Sequence, residues 1–93
     1  MKKARLERLV KAMEKANLKQ LLITDPASIF YLTDKWIHPG ERMLALYINV
    51  DGNNKLFINE LFPVDEDLGV EKIWFKDTDD PIKLLVSYVD KDS

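Results

Sequence analysis

Residues 21–42, which read LLITDPASIFYLTDKWIHPGER, organise this 93-residue chain. The apolar run Leu21–Ile23 has the length and composition of a buried strand. Asp25 then favours a helix start, because its side chain can accept the first free backbone N–H groups, and Pro26 loses no hydrogen bond at the first helical position. The sequence therefore predicts a strand that passes directly into a helix.

The predicted helix over residues 26–32 is apolar on nearly every side, so we expect it to lie between the sheet and another layer. A loop over residues 33–42 follows. This loop holds the only histidine of the chain, one of its two tryptophans and the Pro39-Gly40 turn. If any part of the chain contacts a ligand, we expect it to be this loop.

Composition is that of a small folded domain. Hydrophobic residues make up 46% of the chain and aromatic residues 10%, values well away from those of disordered segments. The chain has no cysteine, which excludes disulfides and thiolate metal sites and agrees with a reducing compartment. No apolar run approaches the roughly 18 residues of a membrane span. We therefore expect a cytoplasmic protein.

The net charge of −2 is unevenly distributed. Residues 1–20 hold seven basic and two acidic residues, whereas residues 60–93 hold ten acidic residues and four lysines. We expect such a chain either to pair its own ends or to associate head to tail with a second copy. A pI of about 5.3 argues against nucleic-acid binding, which needs an overall basic footprint.

Local patterns predict the flanking elements. Residues 3–16 carry an apolar stripe at helical spacing, and Asn17 favours a Schellman end because it tolerates a left-handed backbone. The continuous apolar run at residues 43–48 is typical of a central strand covered on both faces. A hairpin loop at residues 51–54 then leads to an antiparallel strand over residues 55–59.

The C-terminal third predicts one more strand and one more helix. Pro63 cannot continue a strand ladder, and the next apolar run is residues 73–75. Asp80-Pro81 repeats the Asp-Pro helix start. Because no helix stop or return strand follows before Ser93, we expect the chain to be truncated from a longer protein. The final helix has the stripe Ile82, Leu85, Val86 and Val89.

These elements predict one small three-layer α/β domain over residues 1–93. The helix at residues 26–32 supplies the crossover that parallel strands need, provided that the first two strands are parallel. We therefore predict a mixed sheet of about four strands in the order 3-2-1-4, flanked by helices on both faces.

The residues by themselves predict no catalytic centre. Metal-dependent hydrolysis needs about three converging ligands, and the single histidine has only Asp34 and Glu41 near it, in a loop. No serine lies in a nucleophile elbow. The three glycines are isolated, so no phosphate-binding loop is present in the sequence.

Three motifs carry a resemblance to a known family. A strand ending in LLITDP, a helix reading SIFYLT and a return into the next strand through PGERMLAL resemble the amino-terminal domain of the creatinase/prolidase family, and most of all its bacterial Xaa-Pro dipeptidases. The resemblance extends from the first helix to about Phe75. Family members usually carry Asn where Ser28 stands and Gly-Phe where Asp34-Lys35 stand.

The resemblance implies a non-catalytic amino-terminal domain of a metal-dependent enzyme that hydrolyses dipeptides with proline second. The parent protein is then expected to have a carboxy-terminal pita-bread metallopeptidase domain with two divalent metal ions, manganese or similar, and to form a homodimer. The amino-terminal domain contributes subunit association and a loop that covers an active site, its own or that of the partner subunit. This fragment alone is expected to be inactive, and monomeric or weakly dimeric.

By the same resemblance, the substrate-proximal loop residues are Trp36, His38, Glu41 and Arg42. His38 is expected to close the pocket or contact the substrate, and Arg42 or Glu41 to anchor charge at its rim. Each has a plainer alternative: His38 is a solvated loop residue, Trp36 and Ile37 cap a local core, and Arg42 pairs with Glu41 or Asp34 at the surface.

Two other functions fit the same resemblance. One is a non-enzymatic protein-interaction module of the same fold. The other is the amino-terminal domain of an aminopeptidase P or a creatine amidinohydrolase.

Overall fold

The computed structural model describes residues 1–40, 42–62 and 64–89. Within these ranges the chain forms three helices and four strands. The strand stop expected at Pro63 lies outside the described residues. In chain order the elements are α1 (Lys3–Lys15), β1 (Gln20–Ile23), α2 (Pro26–Thr33), β2 (Ala45–Asn49), β3 (Lys55–Asn59), β4 (Glu71–Phe75) and α3 (Pro81–Tyr88).

Helix α1 ends in the predicted Schellman motif. Asn17 has φ 58°, and its N–H donates to the Glu14 carbonyl at 3.1 Å. The Leu18 N–H donates to the Met13 carbonyl at 2.8 Å. These two bonds satisfy carbonyl groups that the end of a helix leaves free and turn the chain into β1.

Both Asp-Pro steps begin helices, as the sequence predicts. The Asp25 carboxylate accepts hydrogen bonds from the backbone N–H groups of Ala27 at 3.2 Å and Ser28 at 3.3 Å. Asp80 accepts the equivalent bonds at 3.1 and 3.2 Å from the two residues after Pro81. In each case a proline occupies the first turn, where it loses no hydrogen bond.

The strand order is β1-β2-β3-β4, so the predicted order 3-2-1-4 is wrong. Strands β1 and β2 are antiparallel, with Ile23 opposite Leu46, and β2 and β3 are also antiparallel. Only β3 and β4 are parallel. The expected parallel crossover does not form because the long segment after α2 brings the chain back to the end of the sheet where β1 finishes.

Strand β1 is consequently an edge strand and not the buried strand that its apolar run suggested. Its residues are partly exposed, and the Leu22 side chain is 41% exposed. Strand β2 is the central strand that the sequence predicts, with all five residues buried. Strand β3 lies beside it, as predicted for the hairpin.

Helices cover both faces of this mixed sheet, which confirms the three-layer α/β prediction. Alternate residues of β2 point to opposite faces. Leu46 and Ile48 belong to the core cluster beneath α1 and α2, together with Met13, Ile29 and Leu32. On the other face, Ala45, Tyr47 and Phe57 pack with Phe75 and with Leu85 of α3.

The charged ends of the chain do not pair with each other in the described residues. Lys2 pairs with Asp34 at 3.5 Å, and no ion pair there joins residues 1–20 to residues 60–89. None of the helices in the described ranges combines the length and the apolar character needed to cross a bilayer.

Candidate functional site

The loop that joins α2 to β2 is fixed where it leaves the helix. Asp34 adopts the left-handed conformation, with φ 64°, and its N–H donates to the Phe30 carbonyl at 2.7 Å. The Thr33 hydroxyl is buried and donates to the Ile29 carbonyl at 2.7 Å. Because these bonds close the last turn of α2, the loop departs in one defined direction.

Ile37 anchors the middle of the loop. Its side chain is only 5% exposed and belongs to the core cluster beneath α1 and α2. The neighbours on either side, Trp36 and His38, are both exposed. The local-core alternative is therefore correct for Ile37, whereas Trp36, at 43% exposure, keeps a large apolar surface in solvent.

Trp36 and His38 contact each other directly. The Trp36 Nε1–H donates to His38 Nδ1 at 3.1 Å, and the two ring centroids lie 5.8 Å apart at an interplanar angle of 61°. The Phe30 ring, on α2, also packs edge-to-face with the indole, with centroids 5.8 Å apart and an interplanar angle of 64°. Aromatic pairs favour such edge-to-face geometry, so the three rings form a continuous row from the helix to the imidazole.

A cleft of about 260 Å³ opens beside this row. Its apolar wall consists of Ile37 with Phe62 and Val64, which belong to the segment after β3. Lys35 lines the cleft as well, and its Nζ pairs with the Glu66 carboxylate at 3.2 Å. The cleft thus combines an apolar wall with an imidazole and an ammonium group, which suits a small ligand that carries acceptor oxygens.

Arg42 lies at the other end of the loop and pairs with Asp77. Its Nε and Nη2 donate to the two Asp77 carboxylate oxygens at 3.0 and 3.1 Å. Asn59 Nδ2 donates to the same carboxylate at 2.7 Å. The hydrogen bonds from Arg42, and then that from Asn59, hold the pKa of Asp77 below its ordinary value.

The predicted loop residues that the structure describes do not all lie together. Trp36 and His38 are next to each other at the cleft, whereas Arg42 contacts the turn before α3. Glu41 lies outside the described residues, and the other partner expected for Arg42, Asp34, pairs instead with Lys2.

Asp77 and Glu66 are the residues that sequence reasoning missed. Each pairs with the loop across more than 30 positions of sequence. No local pattern around either residue marks it as a loop partner, because the contact exists only once the strands have paired.

Within the described residues, no group of three histidine, cysteine, aspartate or glutamate side chains converges on a point that could hold a metal ion. The two divalent metal ions expected for the parent protein are expected in its carboxy-terminal domain, and that expectation stays a prediction.

The sequence matches the family model described as the creatinase/prolidase N-terminal domain over residues 5–91. No curated protein matches the chain at a significant level. The matched region includes every described helix and strand except the first two residues of α1.

Solved structures share the fold. The N-terminal domain of an X-Pro dipeptidase from Streptococcus pyogenes is 21% identical, with a TM-score of 0.77; the match covers 92% of this chain and 67% of that one. The N-terminal domain of an Xaa-Pro dipeptidase from Lactobacillus brevis is 24% identical, with a TM-score of 0.78 and coverages of 89% and 64%. The dipeptidase PepE from Mycobacterium ulcerans is 28% identical, with a TM-score of 0.75 and coverages of 91% and 24%.

The chain thus spans about two thirds of the N-terminal domains that it matches. It spans about a quarter of PepE.

Proposed function

Since this chain belongs to the creatinase/prolidase N-terminal domain family, we propose that it is the non-catalytic amino-terminal domain of an Xaa-Pro dipeptidase. The parent enzyme hydrolyses dipeptides with proline in the second position. The single observation that supports the proposal is the loop at Trp36–His38, where two hydrogen-bonded ring side chains are exposed on either side of a buried residue.

Catalysis in this proposal belongs to a separate carboxy-terminal pita-bread domain. That domain supplies two divalent metal ions, manganese or similar, which activate the attacking water when bound. The parent is a cytoplasmic homodimer, and this domain contributes to the subunit association. No described residue of the chain is assigned a step in bond cleavage.

The loop acts as a cover for the substrate. His38 closes the pocket, and the apolar wall of the cleft excludes water from the bound dipeptide, which strengthens polar contacts inside. Arg42 does not contact the substrate in this proposal. Its two bonds to Asp77 hold the far end of the loop against the turn before α3, so that the cover keeps one position.

Two experiments test the proposal. The coding sequence beyond Ser93 is expected to continue into a domain rich in Asp, His and Glu ligands, and a stop codon at that point would refute the assignment. In the parent enzyme, His38→Ala is expected to lower turnover of a proline-second dipeptide while the fold is retained. Lys3→Ala, on the exposed face of α1, is the matched control and should leave the rate unchanged.

Two other substrates are tested in the same assay. One is a longer peptide with proline in the second position, and the other is creatine. Preference for a longer peptide would assign the parent to the aminopeptidase P branch, and turnover of creatine would assign it to the amidinohydrolase branch. An unchanged rate for His38→Ala would show that His38 is a solvated loop residue.

A second candidate function is a protein-interaction module, and one observation favours it. Ile82 and Val86 lie one turn apart on α3 and are 58% and 50% exposed, so the helix presents apolar side chains to solvent as well as to the core. A parent protein that has the second domain but lacks its metal ligands would support this function over the peptidase.

A further inference from the structure

We infer that Trp36 is a positioning residue that fixes the tautomer of His38. An indole N–H can donate a hydrogen bond but cannot accept one. Because Trp36 Nε1 lies 3.1 Å from His38 Nδ1 in donor geometry, that nitrogen has to be the acceptor. The proton of the neutral imidazole is then on Nε2, and His38 presents an N–H group to its surroundings.

The Trp36 indole is itself held in place by its neighbours, so its N–H group stays directed at His38 Nδ1. Its ring packs edge-on against Phe30, which is part of α2. The residue between Trp36 and His38 is buried in the core, so the backbone that carries both rings cannot shift freely. The position of the imidazole proton is therefore set by the folded chain.

This tautomer determines which ligand atoms His38 can meet. Among the described residues, Nε2 has no hydrogen-bond partner, and the imidazole lines the cleft. A neutral His38 thus offers a donor to a carbonyl or carboxylate oxygen and has no free lone pair with which to act as a base. This step rests on the proposed function, in which the oxygen belongs to the bound dipeptide.

The experiment uses the 93-residue chain with Trp74→Phe, which leaves Trp36 as the only indole. Nitrogen-15 NMR of the His38 ring above pH 8 is expected to show Nε2 protonated and Nδ1 bare. Adding Trp36→Phe should raise the ratio of the Nδ1-protonated to the Nε2-protonated tautomer about fivefold, the factor that corresponds to one lost hydrogen bond. An unchanged ratio, or a protonated Nδ1 before the change, would overturn the inference.

A second measurement keeps Trp36 in place, so that its result does not depend on whether Trp36→Phe perturbs the loop. In Trp74→Phe, the exchange of the Trp36 indole proton with water is expected to be slower than in Trp74→Phe with His38→Phe, compared at the same pH above 8, because the second variant lacks the imidazole acceptor. Equal exchange rates in the two variants would contradict the hydrogen bond directly.

Turnover by the parent enzyme separates this inference from the proposed function. Trp36→Phe is expected to lower kcat/KM for a proline-second dipeptide, whereas Trp74→Phe is expected to leave it unchanged. If the NMR result holds while His38→Ala leaves turnover unchanged, the tautomer assignment stands and the proposed function fails. If the tautomer ratio is unaffected while His38→Ala lowers turnover, the proposed function stands and the tautomer assignment fails.

Discussion

Arg42 and Asp77, 35 residues apart, form a two-bond pair that ties the end of the loop to the turn before α3. Both partners are partly exposed, with 44% and 52% of their side-chain surfaces in solvent. Isolated exposed pairs contribute little to stability. This one has two parallel bonds and a third from Asn59 to the same carboxylate, an arrangement that favours a defined geometry.

We predict that Asp77→Asn destabilises the domain in a pH-dependent way. The pKa of Asp77 is lowered in the folded state, so the stabilisation is present above the unfolded pKa of about 3.9 and is lost as the pH falls through the lower folded value. Urea unfolding should find the variant less stable than the wild type at pH 7, with the difference shrinking below about pH 4.

Asp65→Asn is the control for this experiment, because the Asp65 side chain is exposed and makes no ion pair or hydrogen bond with the described residues. A difference between Asp77→Asn and the wild type that stayed constant from pH 7 to pH 3 would contradict the assignment.

Two leucines on neighbouring strands test the sheet order. Leu46 in β2 is fully buried, and Leu22 in β1 is 41% exposed. Leu46→Ala is expected to lower the free energy of unfolding by about 3 kcal/mol, through lost burial and the cavity left behind. Leu22→Ala should cost less than about 1 kcal/mol. Equal losses in chemical denaturation would place β1 inside the sheet and contradict the observed order.

The cap of α3 can be tested with a closely matched pair of variants. Asp80→Ala removes the acceptor of two backbone N–H groups and is expected to cost about 1 kcal/mol of unfolding free energy. Asp80→Asn retains a side-chain oxygen and should remain near the wild type, because Asn caps helices as well as Asp does. Similar losses in both variants would assign the effect to charge and not to capping.

The isolated chain is expected to be a monomer or a weak dimer. The large apolar side chains that the described residues expose are spread over β1, α2, β4, α3 and the connecting segments, whereas stable association requires an interface of roughly 1,200 Å² formed by one continuous surface. Sedimentation velocity at two protein concentrations tests this expectation. A dimer that persists unchanged on dilution would show that this domain has a complete interface of its own.

Features governed by neighbouring residues could be predicted from the sequence. Asp25 and Asp80 begin helices because capping needs only the next three residues, and Asn17 ends α1 for an equally local reason. The buried central strand was predictable because its apolar run leaves no face for solvent. These signals located the elements and the loop, which is most of what the fold requires.

The direction of β2 relative to β1 could not be predicted, because it depends on where the loop returns and not on the strands themselves. The exposure of Leu22 was not predicted either, because the predicted strand order placed β1 inside the sheet. Similarly, the pairing of Arg42 with Asp77 depends on β4 lying next to β3, a long-range relationship. The contact between Trp36 and His38 was within reach, since alternate residues of an extended segment point to the same side.

The strand order also has a consequence for how the chain reaches its native state. Each strand pairs only with strands adjacent to it in sequence, across the connections 24–44, 50–54 and 60–70. The entropy lost on closing a loop rises with its length, so the β2–β3 hairpin is the least costly place to begin. From that nucleus the sheet can grow outward one strand at a time, and no strand has to search for a partner from the opposite end of the polypeptide.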